Sequence, residues 1–299
     1  MHPRWWANRV KSGAAGVPTP GWARLVQRWV GPFVRLAHRP TLDGAENLPS
    51  SGPFMLVANH SGSLATSEIL AFATCYLERV GASRPLAAMA HPVALWLWPV
   101  SALLRGLGAI PSTYAAGESA LRAGIPVLVF PGGSFEASRP VWQAYKVDFG
   151  GHQGFLKLAR KLRVPVVPMG IRGSHFTAPV LWRSHAVLPR FLFTAWIAGI
   201  RQMPLTLLGV LGAVAIALLA PGLGWPLRAL LIWAWLASPF PHFGWIPWKI
   251  RIRIGPPIAP EELFAESMPE QQILCAAYER VQKTVERLVD PGYSSATSR

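Results

Sequence analysis

A chain of 299 residues, 51% of them hydrophobic, can bury a large core, which excludes a disordered polymer. Its 29 Lys and Arg against 14 Asp and Glu give a formal charge of +15, so the surface suits a partner dense in phosphate. Two cysteines, Cys75 and Cys275, suggest neither a disulfide framework nor a metal cluster and fit a reducing compartment.

The positive charge is concentrated. No acidic residue precedes Asp43, and none lies between Asp148 and Glu261. Nucleic acid and an anionic bilayer both fit such a surface, but 14 tryptophans, long apolar runs and the absence of a nucleic-acid-binding motif favour the bilayer. The N-terminal stretch MHPRWWANRVKSGAAG lacks the apolar core of a signal peptide and is expected to stay on the protein.

In chain order, Trp22, Leu25, Val26, Trp29 and Val30 recur at helical spacing opposite Arg24, Gln27 and Arg28, until Pro32 interrupts. Residues 1–40 thus read as an N-terminal amphipathic segment, lying at a membrane surface or packed on the protein's own core. From Thr41 short apolar runs, FMLVA (54–58), LAAMA (86–90), PVLVF (126–130), VPVVPM (164–169) and KIRIRI (249–254), alternate with helical stretches near 67–80, 93–105, 115–124 and 151–163. That alternation predicts an α/β domain, a mostly parallel mixed sheet flanked by helices, over 41–190 and 248–299.

Residues 191–247 interrupt it with only Arg201 and Arg228 charged. PLTLLGVLGAVAIALLAP (204–221) and WPLRALLIWAWLAS (225–238), separated by a breaker-rich turn, predict an inserted hydrophobic hairpin that dips into one leaflet. Two full spans and a buried soluble hairpin are the alternatives. Ile273, Leu274, Ala277, Val281, Val285 and Leu288 mark a terminal amphipathic helix, with Ser267 and Glu270 at capping-box spacing.

Two segments combine a strand end with small residues. VANHSG (57–62) places His60 where α/β sheets present reactive groups, although a lone histidine is more often structural. FPGGSFEASRP (130–140) is the second, and the two loops can face each other. Gly132 and Gly133 offer either close-approaching N–H donors or a plain tight turn. Arg139 can grip a phosphate or pair with Glu136. No G-x-S-x-G elbow and no metal-ligand spacing is present, which argues against a hydrolase and against a metal site.

DGAENLPSSGPFMLVANHSG (43–62), FPGGSFEASRP, GFLKLARKLRVPVVPMGIRGSH (154–175) and KIRIRIGPPI (249–258) together resemble the glycerolipid acyltransferases of the lysophosphatidic acid acyltransferase type. The resemblance implies the α/β fold above and an O-acyltransferase. Acyl-CoA or an acyl-carrier protein would donate, a membrane lipid hydroxyl would accept, and no bound cofactor would be needed. It also implies membrane association, with the site facing the cytoplasm, and His60 as general base.

The chain departs from the family pattern in three places. The usual aspartate five positions after the histidine is Ala65, so Glu68 becomes the orienting acid, with Asp148 and Glu136 as substitutes. Glu68 can equally be a helix first-turn carboxylate behind a Thr66 cap. Gly132 replaces the usual glutamate, which looks more like the branch acylating neutral lipids such as diacylglycerol. Ser112 and Thr113 stand where phosphate-acceptor enzymes carry arginine. Ser61, Gly62, Gly132, Gly133, Ser134, Glu136 and Arg139 are the expected substrate-binding residues. Transfer to lysophosphatidic acid and a non-catalytic lipid-binding role are the alternative functions.

Overall fold

The computed structural model describes residues 17, 19–63, 67–96, 98, 100–185, 187–192, 202–264, 269–290 and 292. Helix α1 (Pro20–Leu25) passes through a π-turn (Val26–Val30) into α2 (Gly31–His38). The expected stop at Pro32 does not occur. The N–H of Gly31 reaches back to the Val26 carbonyl, and the widened turn accommodates a proline that has no N–H of its own. Ala23, Val26 and Val34 are buried, whereas Leu25, Trp29, Phe33 and Leu36 point outward, Trp29 being 70% and Leu36 79% exposed. Apolar side chains therefore occupy two faces of this helix, not the single stripe read from the sequence.

Strand β1 (Thr41–Asp43) and β2 (Met55–Ala58) precede α3 (Ser67–Arg79). Then follow β3 (Ala87–Ala90), α4 (Val100–Gly106), β4 (Ala109–Pro111), α5 (Tyr114–Arg122) and β5 (Val127–Val129). After the short α6 (Gly133–Ala137) come α7 (Gly154–Leu162) and β6 (Val166–Arg172). The helix expected over 93–105 is confined to α4, because Pro92 and Pro99 break the pattern before it. In its place Arg105 holds the preceding turn by donating to the Leu95 carbonyl at 3.0 Å.

Five parallel strands, β6, β2, β5, β3 and β4, lie side by side, with β2 near the centre. Strand β9 (Arg251–Ile254) joins β6 antiparallel and carries β1 on its far edge. One sheet face is covered by α2 and α3 around Phe54, Leu56, Phe72 and Ile252. The other is covered by α5, α7 and the terminal helix through Leu128's neighbours Val127, Leu156, Val281 and Val285. This buries β2, β5 and β6 on both faces, as their apolar sequences require, whereas β9, Arg-Ile-Arg-Ile, buries only its isoleucines. Because β2, β5 and β6 are parallel, their following loops all emerge at one edge.

The insertion begins earlier than its composition suggests. Strand β7 (Val180–His185) precedes α8 (Val187–Phe191) and pairs antiparallel with β8 (Gln202–Thr206), forming a second two-stranded sheet that straddles the expected boundary at residue 191. Residues 193–201, including Arg201, lie outside the described residues. Pro204 to Thr206, read as the start of a helix, are strand; Thr206 Oγ1 then caps the next helix by accepting the Gly209 N–H at 3.1 Å.

Helices α9 (Leu207–Leu219) and α10 (Trp225–Ala237) consequently have 13 residues each, about 20 Å against a bilayer core of ~30 Å. No helix among the described residues is long and apolar enough to cross a membrane, so two full spans are excluded for them. The hairpin is tightly knit: a Cβ at Gly212 would lie 2.3 Å from the Trp235 ring, and Trp235 Nε1 donates to the Gly209 carbonyl at 3.0 Å. Arg228 donates to the Ala217 carbonyl at the carboxyl end of α9. The outer faces are bare, with Leu219 81% exposed and no buried residue on α10. The hairpin is thus not buried in the core of this chain.

Beyond β9 come α11 (Pro260–Leu263) and α12 (Glu270–Val289). All six apolar positions expected to define the last helix are buried. Ser267, its expected cap partner, lies outside the described residues.

Candidate active site

At the end of β2 the Asn59 side chain continues the ladder in place of backbone. Its amide donates to the Ile171 carbonyl at 2.8 Å and its oxygen accepts the Ile171 N–H at 2.7 Å, fixing the loop to β6. The next residue is held by its main chain: the His60 N–H donates to Glu136 Oε2 at 2.8 Å. Glu136 Oε1 accepts the Asp148 N–H at 3.1 Å and meets Arg139 Nη2 at 3.1 Å. Burial pushes the Glu136 carboxyl up to about 7, while Arg139 and the N–H groups of His60 and Asp148 favour its ionised form.

The imidazole of His60 meets a second acid. Its Nδ1 lies 2.6 Å from Oε1 of Glu68, in the first turn of α3, and the same oxygen accepts the Ser61 N–H at 3.2 Å. Glu68 is fully buried and the His60 side chain is 14% exposed, so the carboxylate backs the ring from inside. Among the described residues Nε2 of His60 has no hydrogen-bond partner. The Phe130 ring packs against the imidazole at 4.8 Å between centroids.

Gly62 makes this contact possible. Its φ is +87°, and a Cβ there would lie 2.8 Å from Glu68 Oε2 and 3.0 Å from the Ser174 carbonyl oxygen. Behind the pair, Ser61 bonds Ser174, Ser67 Oγ lies 2.7 Å from Thr177 Oγ1, and Thr177 donates to the Ser174 carbonyl. These buried hydroxyls join the loops after β2 and β6. Ala65 and Thr66 lie outside the described residues.

Several expected substrate contacts need correction. Glu136 and Arg139 are sealed in the interior and committed to each other, and Arg139 also donates to the Lys146 carbonyl. Ser61 is fully buried, and Gly62 is a packing position. Gly132 is buried too; a Cβ there would lie 2.5 Å from that of Glu136 and 2.8 Å from the Asp148 carbonyl oxygen. The Gly133 N–H is spent on the Phe130 carbonyl, closing a turn. Gly133, with φ +48° and open space at its Cβ, and the exposed Ser134 remain on the accessible side. Asp148 is not the acid on His60; its carboxylate accepts the Gly150 N–H.

Two buried histidines lie beside the site, His175 at the end of a segment singled out in the sequence and His242 without a sequence signal. His242, inside an apolar stretch, has Nδ1 3.4 Å from Ser63 Oγ, and desolvation lowers its pKa to about 4. His175 follows β6 and is lowered to about 3, chiefly by desolvation and secondarily by Arg139 and His60. Both are neutral walls at ordinary pH. A groove of about 740 Å³ between Pro256, Ile258, Arg280 and Lys283 lies elsewhere, at the edge where β6 begins, as the Val166–Ile258 bridge shows.

Residues 39–172 match the Acyltransferase family. An uncharacterised protein of Mycobacterium leprae is 29% identical over 156 residues, covering 51% of this chain and 42% of that protein. An uncharacterised protein of Mycobacterium tuberculosis is 27% identical over 149 residues, covering 50% and 41%. The match thus spans less than half the length of these relatives. In fold the chain is similar to the crystal structure of the 1-acyl-sn-glycerophosphate (LPA) acyltransferase PlsC from Thermotoga maritima, with a TM-score of 0.50 and 18% identity, covering 91% of this chain and 81% of that one. The match to the acyltransferase family thus covers less than half of the chain, residues 39–172, and the similarity to the LPA acyltransferase is one of fold, a mostly parallel sheet flanked by helices.

Proposed function

We propose that this protein transfers an acyl group from a thioester, acyl-CoA or acyl-carrier protein, to a hydroxyl of a membrane glycerolipid or other lipid alcohol, with His60 as general base and Glu68 as its orienting acid. The 2.6 Å contact between His60 Nδ1 and Glu68 Oε1 carries the reading. A carboxylate there fixes the ring tautomer, leaves Nε2 as the proton acceptor and stabilises the imidazolium that forms. Nε2 takes the alcohol proton as its oxygen attacks the thioester carbonyl. The tetrahedral intermediate then expels the thiolate, which recovers the proton, so ester and thiol are the products. Among the described residues the N–H of Ser134, on the accessible side, lacks a partner and is the candidate donor to the oxyanion.

A lipid acceptor is supported by the apolar strip beside the dyad. Gly244 packs on Ser67 and Thr177, the Ile246 N–H donates to the Thr177 carbonyl, and Phe243, Trp245 and Trp248 of the same segment are exposed. With the bare hairpin and the outer face of α1 and α2, this strip suits a monotopic association with one leaflet, stabilised by interfacial tryptophan and basic residues. The similarity in fold to an LPA acyltransferase favours a lysophospholipid acceptor as the second reading. The test is incubation of the purified protein with labelled acyl-CoA and a mixed lipid extract, followed by mass spectrometry. The wild type forms a labelled ester and His60→Ala forms none; equal product from both refutes the mechanism.

A further inference from the structure

Arg183 lies on β7, outside the stretch that matches the acyltransferase family. It nonetheless reaches the loop facing His60. Its guanidinium carbon sits 4.1 Å from the centroid of the Phe135 ring, and Nη1 donates to the Phe135 carbonyl at 2.9 Å. Phe135 belongs to α6, the helix whose next residue, Glu136, holds the His60 main chain. Stacking and one carbonyl bond fix the plane of the guanidinium and leave its other N–H groups uncommitted among the described residues.

The charge lacks a counter-ion. Among the described residues no carboxylate lies within ion-pair distance of Arg183; Glu136 is taken by Arg139, and Asp148 acts only at longer range, with its carboxylate on the Gly150 N–H. Burial and the nearby Arg139 charge both pull the Arg183 pKa down, so the cation is held there at a cost in the absence of an anion. A planar fork with free donors, stacked on an aromatic ring and short of negative charge, is suited to phosphate.

We infer that Arg183 is a specificity-determining residue that holds a phosphate group of a substrate beside the His60–Glu68 pair. The assignment of that phosphate to a substrate rests on the acyl-transfer reading; the phosphate affinity itself does not. Two sources share the chemistry, the nucleotide of a thioester donor and the headgroup of a phosphorylated acceptor.

Calorimetric titration of the full chain with adenosine 3′,5′-bisphosphate and, separately, glycerol 3-phosphate distinguishes them. At least one probe binds the wild type and loses affinity on the order of 10- to 100-fold in Arg183→Gln. Arg183→Lys, which keeps the charge without the fork, falls between and serves if the glutamine variant does not fold. Loss confined to the bisphosphate assigns the donor, and loss confined to glycerol 3-phosphate assigns the acceptor. Failure of both probes to bind the wild type, or unchanged affinity in the variants, overturns the inference. Arginine-dependent binding in a protein that makes no ester would sink the acyl-transfer reading alone.

Discussion

Shortening Glu68 by one methylene, in Glu68→Asp, keeps its charge but withdraws it from the imidazole. A C–C bond of ~1.5 Å takes the 2.6 Å contact to about 4 Å, beyond hydrogen-bonding reach. The acid is fully buried on a helix whose position is set by core packing, so α3 is not free to follow. For an imidazolium–carboxylate pair at an effective dielectric of ~20, the attraction falls from roughly 6 to about 4 kcal/mol, and the directional bond that fixes the tautomer is lost as well. A loss of at least ~2 kcal/mol at the transition state is a fall of about 30-fold or more in kcat. Melting temperature should fall as well, because the same withdrawal takes the acceptor from the buried Ser61 N–H and leaves a buried carboxylate short of donors. Steady-state transfer rates with saturating acceptor, alongside thermal melts, make the measurement. Activity within threefold of wild type would show that His60 does not depend on this contact.

Gly62→Ala should behave similarly from the other side, since the new methyl meets Glu68 Oε2 at 2.8 Å in a backbone conformation that alanine resists; a tenfold or greater drop in kcat with a lowered melting temperature is expected, and an active, fully stable variant would contradict it. His242 supplies a pH prediction. Its folded pKa of about 4 lies below the unfolded value of ~6.5, so its contribution is complete above pH 6.5 and is lost as the pH falls towards 4, by about 2 kcal/mol between pH 6.5 and 4.5. His242→Gln should flatten that part of the acid-stability curve while His175 preserves the part extending towards pH 3; an unchanged curve by chemical denaturation would be inconsistent with this.

Strands β2, β3, β5 and β6 were legible because each is a short apolar run, and the terminal helix because its six core positions share one period; β4, only three residues long, was not. Glu68 was legible through the reach of its side chain, once Ala65 left His60 without the usual acid. Glu136 was legible only as a partner for Arg139, three residues on; its bonds to the His60 and Asp148 N–H groups were not, because those donors come from other loops that only the fold assembles. A carboxylate after a glycine turn reads as a ligand contact until those donors are seen. The β7–β8 pair was hidden for a different reason: Met203 to Thr206 run into an apolar helix without a change in composition, and pairing with β7 rather than local preference makes them strand. Pro32 misled because a π-turn can accommodate what a regular helix cannot.

Glu136 grips the peptide of residue 60 and not its ring. That bond is indifferent to the side chain it carries, so the geometry of the loop is decoupled from the reagent it displays. A chemically silent chain such as His60→Ala should therefore keep an undistorted frame around its substrates, and would serve as a trap in which donor and acceptor can be captured together before they react.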